Sequence, residues 1–168
     1  MKLRTPSVND GPRIRQLVQE SRTLDLNSTY YYLLFCAHFS DTCVIAEQNG
    51  RLVGFVTAYR PPATQDRLFV WQIAVDPKVR GQGVAKTMIM ELLHQTTHLG
   101  ISYVEATVTP SNHSSQRLFQ SLARDLNAEC VEEPFFSSEL FAGEGNHEPE
   151  NLFRIGPFQF QNQKHPRG

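Results

Sequence analysis

The feature that most constrains the fold is an apolar segment followed by a glycine-bearing turn and then by a helical pattern. Residues 68–75 are apolar on both alternating faces apart from Gln72, which is typical of a central strand covered on each side. The turn RGQGVA follows at residues 80–85, and apolar residues then recur at helical spacing to about residue 98. A strand, a turn and a helix in this order predict a parallel βαβ unit at the centre of a sheet.

The remaining hydrophobic patterns place this unit in a larger mixed sheet. We expect further strands at residues 2–5, 42–48, 52–59, 102–109, 128–136 and 152–158, a helix capped by Asn9 or Asp10, and helices over 28–39, 84–98 and 112–126. Asn49 and Gly50 suit the positive φ angles of a tight hairpin turn. The predicted fold class is α+β, a single domain over residues 1–160 with helices on both faces of an α/β mixed sheet, followed by a flexible tail at 161–168.

Composition excludes several classes of protein. With 168 residues, 16 Lys+Arg and 17 Asp+Glu, the formal net charge is −1, so a broad basic surface for nucleic acid is not expected. The longest apolar run, residues 30–37, is much shorter than the roughly 20 residues of a membrane span, and no secretory signal pattern is present. Cys36, Cys43 and Cys130 include no CxxC spacing. We therefore expect a soluble cytoplasmic protein that binds neither nucleic acid nor a membrane.

The turn at residues 80–85 has the features of a phosphate site. Where a helix begins, the first N–H groups lack partners and the helix dipole is positive, and together they suit a pyrophosphate. A dinucleotide-binding GxGxxG motif would need a third glycine at Lys86, and a Walker loop would need a Gly-Lys-Ser/Thr ending, so neither motif fits. On this pattern alone, a glycine-rich strand-to-helix turn without a ligand is the alternative.

The same turn resembles the acetyl-coenzyme A loop of the GCN5-related N-acetyltransferases, which reads Gln/Arg-x-x-Gly-x-Gly/Ala. Arg80, Gly83 and Ala85 fill that pattern, and the resemblance extends over residues 68–119. It implies that the fourth and fifth strands splay apart and that the pantetheine arm of the cofactor pairs with the main chain of the fourth strand. The cofactor contacts that the resemblance implies are Ile73, Val75, Arg80, Gly81, Gln82, Gly83, Val84, Ala85 and Asn112.

Nearly the whole chain, to about residue 158, is similar to the L-2,4-diaminobutyrate acetyltransferases of ectoine synthesis. The segments that carry this similarity are RTPSVNDG at 4–11, LDLNSTYYYLL at 24–34, HFSDTCVIAE at 38–47, DRLFVWQIAVDP at 66–77, EATVTPSN at 105–112 and HEPENLFRI at 147–155. The resemblance implies direct transfer of acetyl from acetyl-CoA to the 4-amino group of L-2,4-diaminobutyrate. Many members of the wider superfamily carry a tyrosine general acid where this chain has Phe119, so we assign no general acid.

A polar stripe on the predicted strand 102–109 is the candidate for acceptor chemistry. Strict alternation places one set of side chains on the same face of this strand: Tyr103, Glu105, Thr107 and Thr109. Beside the cofactor gap, Glu105 would hold the acceptor ammonium and accept its proton, so it is our candidate catalytic residue. The alternative is that Glu105 is solvated or paired with a surface base.

A substrate with two ammonium groups and one carboxylate needs acids, acceptors and at least one donor in its pocket. The candidate substrate contacts are Asp25, Asn27, Tyr31, Trp71, Thr107, His147 and Glu148. The alternatives are that Asn27 and Ser28 are helix caps and that Trp71 packs in the core. For His147 and Glu148, the alternative is that the acidic loop at residues 137–151 is solvated surface.

Metals, partners and competing functions complete the predictions. Glu91, His94 and His98 have a spacing that a metal accepts, but such residues are ordinary on a helix face, so no metal site is expected. A homodimer is favoured by aromatic residues that we expect at the surface, namely Phe135, Phe136 and Phe158. The competing functions are acetylation of another amine (a polyamine, an aminoglycoside or a protein N-terminus) and acetyl-CoA sensing without turnover.

Overall fold

The computed structural model describes residues 1–21, 24–143 and 145–159. Over these residues the strands are β1 (Lys2–Arg4), β2 (Cys43–Gln48), β3 (Arg51–Tyr59), β4 (Arg67–Val75), β5 (Tyr103–Val108), β6 (Cys130–Phe136) and β7 (Glu150–Ile155), and the helices are α1 (Gly11–Ser21), α2 (Thr29–His38), α3 (Val84–Gln95) and α4 (His113–Asp125). Each predicted strand and helix is present, and the bounds differ by a few residues at most. The tail predicted at 161–168 lies outside the described residues.

The described strands form one mixed sheet in the order β1-β2-β3-β4-β5-β7-β6. β4 and β5 are parallel, whereas every other neighbouring pair is antiparallel. The connection from β4 to β5 runs through α3, which is the predicted βαβ unit. The predicted mixed sheet is therefore confirmed.

Helices cover both faces of the sheet, as predicted, and each face has its own buried cluster. On one face, Ile14 and Leu17 of α1 and Tyr32 of α2 pack with Ile45 and Phe55 of the sheet. On the other face, α3 and α4 contribute buried side chains that include Met88, Ile89, Leu92, Phe119 and Leu122. A spacing of three or four residues brings such side chains to one side of each helix.

Two local signals in the sequence act as predicted. The Ser28 hydroxyl caps α2 by accepting the N–H of Tyr31 at 3.2 Å. Asn49 and Gly50 have φ angles of 52° and 75° and connect β2 to β3. The cap and the hairpin turn thus follow from local side-chain and backbone preferences.

The start of α1 differs from the prediction. A short 3-10 turn, Val8–Asp10, precedes the helix, and neither Asn9 nor Asp10 is its simple cap. The Asp10 carboxylate is instead buried, accepts the Ser7 N–H at 2.8 Å, and pairs with Arg4 at 2.8 Å. This carboxylate is therefore part of a buried charge network that joins β1 to the helix.

The aromatic residues near the C-terminal strands divide between surface and core. Phe135 and Phe136 on the edge strand β6 are 50% and 41% exposed, as expected. Phe158 is only 5% exposed, so the expectation that it lies at the surface is wrong. Its N–H donates to the Ser102 carbonyl at 3.0 Å, which draws the segment after β7 over the core on the α3 side.

The parallel pair β4 and β5 separates soon after it forms. The paired residues are Arg67 with Tyr103, Leu68 with Val104 and Phe69 with Glu105. Beyond these positions β4 continues to Val75 and β5 to Val108 without pairing to each other. The predicted splay between these strands is therefore present, and it positions the site.

Candidate active site at the strand splay

A cavity of about 980 Å³ opens where β4 and β5 separate. Its walls come from all strands from β3 to β7, the segment before α2, the loop between β3 and β4, the segment from β5 to α4, and the loop between β6 and β7. The titratable side chains that line it are Asp25, Tyr59, Arg67, Glu105, His147, Glu150 and Arg154. Such a mixture of acids and bases suits a substrate that carries both kinds of charge.

A β-bulge on β4 shapes one wall of this cavity. Thr57 lies opposite Gln72 and Ala58 opposite Val70, so Trp71 is an extra residue without a partner on β3. A bulge of this kind interrupts the alternation of side chains. The Trp71 side chain is half exposed, with its ring 5.4 Å from that of Tyr31, and it lines the cavity rather than the core.

The glycine-bearing turn lies beyond the cavity, after the unpaired end of β4. Gly81 and Gly83 have φ angles of 76° and 77°, and a Cβ at either position would meet nothing within 4 Å. None of the amides of residues 80–85 makes a hydrogen bond of good geometry within the described residues. The Arg80 guanidinium folds back onto the carbonyls of Val75 and Ser21 at 3.2 and 3.3 Å. The turn therefore presents open main-chain donors at the start of α3.

Glu105 lies in the cavity wall and is paired with two arginines. Its Oε1 accepts from Arg67 Nη1 at 2.6 Å and from Arg154 Nε at 2.6 Å, and the residue is 6% exposed. The Arg154 guanidinium also reaches Glu133 at 2.9 Å. Pairing with bases, one of the two interpretations from the sequence, is thus observed, and the charge on Glu105 is compensated.

The segment before α2 is held in place by a buried glutamine. The Gln72 side-chain amide donates to the Asp25 carbonyl at 3.1 Å, and its oxygen accepts the Tyr32 hydroxyl at 3.3 Å. This bond holds the Asp25 segment at the edge of the cavity. Asn27 hydrogen-bonds the Tyr32 hydroxyl, and burial raises the pKa of Tyr31 above its usual value.

The acidic loop between β6 and β7 is fastened to the start of α4. The Ser111 N–H donates to Glu148 Oε1 at 3.2 Å, and the Ser111 hydroxyl donates to Glu148 Oε2. The His147 ring stacks on Phe141 with centroids 3.9 Å apart, and its Nδ1 lies 2.6 Å from the Glu148 carbonyl. Because a carbonyl only accepts, Nδ1 carries the hydrogen, and Nε2 of the neutral ring is the free acceptor.

Comparisons with known proteins agree with this geometry. The Acetyltransferase (GNAT) family profile matches residues 12–123. An L-2,4-diaminobutyric acid acetyltransferase from Halalkalibacterium halodurans is 52% identical over 90% of this chain and 79% of that protein, and one from Bordetella parapertussis is 46% identical over 93% and 84%. A solved diaminobutyrate acetyltransferase from Paenibacillus lautus, in complex with its substrate L-2,4-diaminobutyric acid and coenzyme A, has a TM-score of 0.90 at 42% identity, covering 95% of this chain and 96% of that one.

The chain belongs to the L-2,4-diaminobutyric acid acetyltransferases of the GNAT family. The likeness to solved structures at lower identity shows the fold alone. One is the ribosomal-protein-S18-alanine N-acetyltransferase from Escherichia coli, with a TM-score of 0.65 at 16% identity over 98% of this chain and 97% of that one.

The predicted substrate contacts fall into two groups. Those that line the cavity are Asp25, Trp71, Thr107 and His147, and the predicted cofactor contact Asn112 lines it as well. Asn27, Tyr31 and Glu148 are not part of the cavity wall. The Asn112 carboxamide also caps α4 by accepting the Ser115 N–H at 3.1 Å.

Sequence reasoning missed three charged residues of the cavity, namely Arg67, Glu150 and Arg154. The register of β5 against β7 brings Arg154 opposite Glu105. The only available signal was their presence in the matched segments DRLFVWQIAVDP and HEPENLFRI. Strand register over such a separation cannot be derived from local pattern.

Phe119, which stands where the sequence resemblance leads one to expect a tyrosine, is part of the core. Phe119 is 2% exposed, and its ring lies 6.3 Å from that of Phe153. A phenyl ring has no proton to donate, and Phe119 does not line the cavity. Phe119 therefore supplies no proton to a leaving group.

The cysteines lie outside the cavity wall. Burial raises the pKa of the Cys36 thiol to about 11 and that of Cys43 to about 12. Both thiols are therefore protonated at neutral pH and are poor nucleophiles.

The described residues contain neither a cluster of metal ligands nor a helix that could span a membrane. Among residues 1–21, 24–143 and 145–159, no group of three or more His, Cys, Asp or Glu side chains is arranged to hold a metal ion. Within the same ranges, every helix is too short or too polar to cross a membrane.

Proposed function

We propose that this chain transfers the acetyl group of acetyl-CoA to the 4-amino group of L-2,4-diaminobutyrate, giving N4-acetyl-L-2,4-diaminobutyrate for ectoine synthesis. The observation that carries this proposal is the match at 42% identity, over 95% of the chain, to a diaminobutyrate acetyltransferase solved with that substrate and coenzyme A. The charged cavity supports it, because it offers acids for ammonium groups and arginines for a carboxylate.

The proposed acetyl-CoA site joins the open turn to the unpaired part of β4. We assign to it Ile73, Val75, Arg80, Gly81, Gln82, Gly83, Val84, Ala85 and Asn112. The free amides of the turn suit a pyrophosphate, and the absence of Cβ atoms at Gly81 and Gly83 leaves space beside them. Acetyl-CoA, when bound, supplies a thioester carbonyl as the acceptor of the amine.

The proposed diaminobutyrate site is the cavity itself. We assign to it Asp25, Asn27, Tyr31, Trp71, Thr107, His147 and Glu148. Asp25 and His147 offer an acid and a base at its edge, and Trp71 offers an apolar wall and an indole N–H. Asn27, Tyr31 and Glu148 act from behind this wall, because Asn27 and Tyr31 adjoin Tyr32 and Glu148 fastens the loop that bears His147.

The reacting amine must lose a proton before it attacks. An alkylammonium with a pKa near 10.4 is neutral in about one molecule in 2,500 at pH 7, which costs about 4.6 kcal/mol unless the site assists. In our proposal Glu105 receives this proton through water, as the carboxylate that β5 contributes to the cavity wall. His147 is the competing acceptor, because its Nε2 is free while Nδ1 donates to a carbonyl.

The leaving thiolate needs little help in this scheme. A thiol has a pKa near 8.5, so the thiolate departs without an obligatory proton from a side chain. Since Phe119 offers none, main-chain N–H groups of the splayed strands stabilise the developing charge. The proposed mechanism is therefore direct transfer in a ternary complex, without an acyl-cysteine.

Thiol release tests the proposal and its competitors together. The purified chain is mixed with acetyl-CoA and, in turn, diaminobutyrate, a polyamine, an aminoglycoside and a peptide with a free N-terminus. We expect the highest kcat/KM with diaminobutyrate. Faster release with another amine would make that amine the substrate, and binding of acetyl-CoA without any release would indicate a sensor.

We also propose that the chain forms a homodimer and acts in the cytoplasm. The exposed rings of Phe135 and Phe136 on the edge strand β6 support a dimer beside the cavity, which these residues also line. Light scattering of the native chain and of Phe136→Glu tests it: we expect twice the chain mass for the former and the chain mass for the latter. The free cysteines are compatible with a reducing compartment.

A further inference from the structure

The loop between β6 and β7, residues 137–149, is tied to the rest of the molecule by hydrogen bonds at one residue. Within its described part, residues 137–143 and 145–149, only Glu148 hydrogen-bonds a residue outside the loop, and that partner is Ser111. The other hydrogen bonds of the loop join its own residues, as in the pair formed by the Ser137 hydroxyl and Glu139 at 2.9 Å. The polar attachment of the loop therefore depends on a single link.

Ser111 is a well-fixed partner for this link. It lies between β5 and α4, where the Asn112 N–H donates to the Thr109 carbonyl at 3.0 Å and the Asn112 carboxamide accepts the Ser115 N–H at 3.1 Å. These bonds hold the turn that presents Ser111. Its N–H and its hydroxyl both donate to Glu148, one to each carboxylate oxygen. Such a two-point contact to a charged group fixes the orientation of the carboxylate as well as its distance.

Glu148 in turn determines the position of His147, which lines the cavity. The His147 Nδ1 donates to the Glu148 main-chain carbonyl, with 2.6 Å between the two atoms, and the ring stacks on Phe141. Both of these contacts are made within the loop. A shift of Glu148 would therefore carry His147 with it, and the free Nε2 of the ring would leave its place at the edge of the cavity.

We propose that Ser111 is a positioning residue of the acceptor site: through Glu148 it holds the loop so that His147 faces the cavity. This proposal rests on the proposed function and adds Ser111 to it. Thr109 and Asn112, on either side of Ser111, line the cavity as well, so the link closes the rim between the β5–α4 segment and the loop. Loss of the link should loosen the diaminobutyrate side and leave the turn at residues 80–85 unchanged, because that turn precedes α3.

Steady-state kinetics of Ser111 variants test this role. Ser111→Ala removes the hydroxyl without touching the cap of α4, which Asn112 supplies. We expect the KM of diaminobutyrate to rise about 3- to 10-fold, the factor for one hydrogen bond, with the KM of acetyl-CoA close to that of the native chain. Ser111→Thr keeps the hydroxyl and should restore the native KM. Ser137→Ala is the matched control, because it removes a hydroxyl from a serine–glutamate pair that lies inside the loop and outside the cavity wall.

A double-mutant cycle shows whether Ser111 acts through Glu148. Glu148→Ala removes both bonds of the link, so we expect the KM of diaminobutyrate to rise about 10- to 100-fold, the factor for losing a charged hydrogen-bond partner. In that background Ser111→Ala should cause no further rise, since its partner is already gone. Additive effects of the two substitutions would mean that Ser111 does not act through Glu148 and would refute the proposal.

An unchanged KM of diaminobutyrate in Ser111→Ala would overturn the proposal. An equal rise in the KM of acetyl-CoA would place the action of Ser111 at the cofactor contact Asn112, and an equal loss in Ser137→Ala would deny the link any special role; either result overturns it as well. Failure of the proposed function looks different, because the native chain would then not turn over diaminobutyrate. An unchanged melting temperature excludes misfolding as the cause of a loss.

Discussion

Glu105 is the residue on which the proposed proton transfer depends most. Because Arg67 and Arg154 contact the same oxygen, the second oxygen of the carboxylate is the one available to water or substrate. We expect Glu105→Gln to lower kcat/KM for diaminobutyrate by at least about 10²-fold, the lower end for loss of general-base help, with the KM of acetyl-CoA close to that of the native chain. Steady-state kinetics over the neutral pH range measure both.

Glu133→Gln is the matched control for this substitution. Glu133 also pairs with Arg154, at 2.9 Å, but its side chain is 44% exposed and does not line the cavity. It should therefore keep near-normal turnover. If Glu105→Gln also keeps near-normal turnover with the native pH profile, the proton goes elsewhere, and His147 becomes the better candidate.

A substitution at Gly83 tests whether the turn at residues 80–85 binds the pyrophosphate of acetyl-CoA. A valine at Gly83 must adopt a φ near 77°, which costs about 1–2 kcal/mol for an L-residue, and its side chain would fill the open space that we assign to the pyrophosphate. We expect Gly83→Val to raise the dissociation constant of acetyl-CoA at least about tenfold. Gly50→Val is the control, since Gly50 has a φ of 75° in the β2–β3 turn with equally open surroundings. Calorimetry showing the same acetyl-CoA affinity for both variants would remove the pyrophosphate from this turn.

The bulge on β4 is the element that links the sheet to the segment before α2, which contains Asp25. Gln72 faces the α2 side because the extra residue, Trp71, resets the alternation, and only there does its amide reach the Asp25 carbonyl. Gln72→Met removes this donor while keeping the length of the side chain. We expect the KM of diaminobutyrate to rise about fivefold to tenfold, the factor for one hydrogen bond of about 1 kcal/mol or slightly more, with the KM of acetyl-CoA unchanged.

Thr96→Val is the control for this substitution. It removes a buried hydroxyl that donates to the Leu92 carbonyl at 2.8 Å and does not line the cavity. Its loss of stability should resemble that of Gln72→Met, whereas its KM for diaminobutyrate should stay near the native value. Equal rises in KM for the two variants would mean that Gln72 acts only through general stability.

The elements differ in how far the sequence predicts them. Ser28, Asn49 and Gly50 act through their own neighbours, so caps and turns are readable from local pattern. The bulge at Trp71 and the Glu105–Arg154 pair depend on how distant strands align, which only the packed sheet decides. The splay was predictable only through the family resemblance. The roles of individual site residues stay predictions until the variants are measured.

At the scale of the whole molecule, a buried charge network ties the N-terminal strand to the sheet. Burial alone would raise the pKa of Asp10, but hydrogen bonds from Arg4 and Ser7 outweigh it and leave the pKa well below its usual range. Hydrogen bonds from Arg4 and Arg13 likewise lower the pKa of Glu47. Because both folded-state pKa values are depressed, these groups stabilise the fold above about pH 4 and lose that contribution as the pH falls below it.

Asp10→Asn tests this network. The substitution removes the buried carboxylate that Arg4 and Arg13 share and leaves both arginines paired with Glu47, so we expect the free energy of unfolding at pH 7 to fall by about 1–3 kcal/mol. The variant should also lose less stability than the native chain between about pH 4 and pH 2. Asp41→Asn, at an exposed acid without a side-chain partner in the described residues, is the control. Parallel acid-dependence curves in urea for Asp10→Asn and the native chain would contradict the assignment.

We propose that the splayed strands deliver the 4-amino group of diaminobutyrate, and not the 2-amino group, to acetyl-CoA. The direct measurement is carbon NMR of the product formed from carbonyl-labelled acetyl-CoA and diaminobutyrate. We expect the labelled carbonyl to correlate with the C4 methylene protons of the product. Correlation with the C2 proton would show transfer to the 2-amino group and would contradict the proposal. The absence of both labelled product and free thiol would contradict it as well.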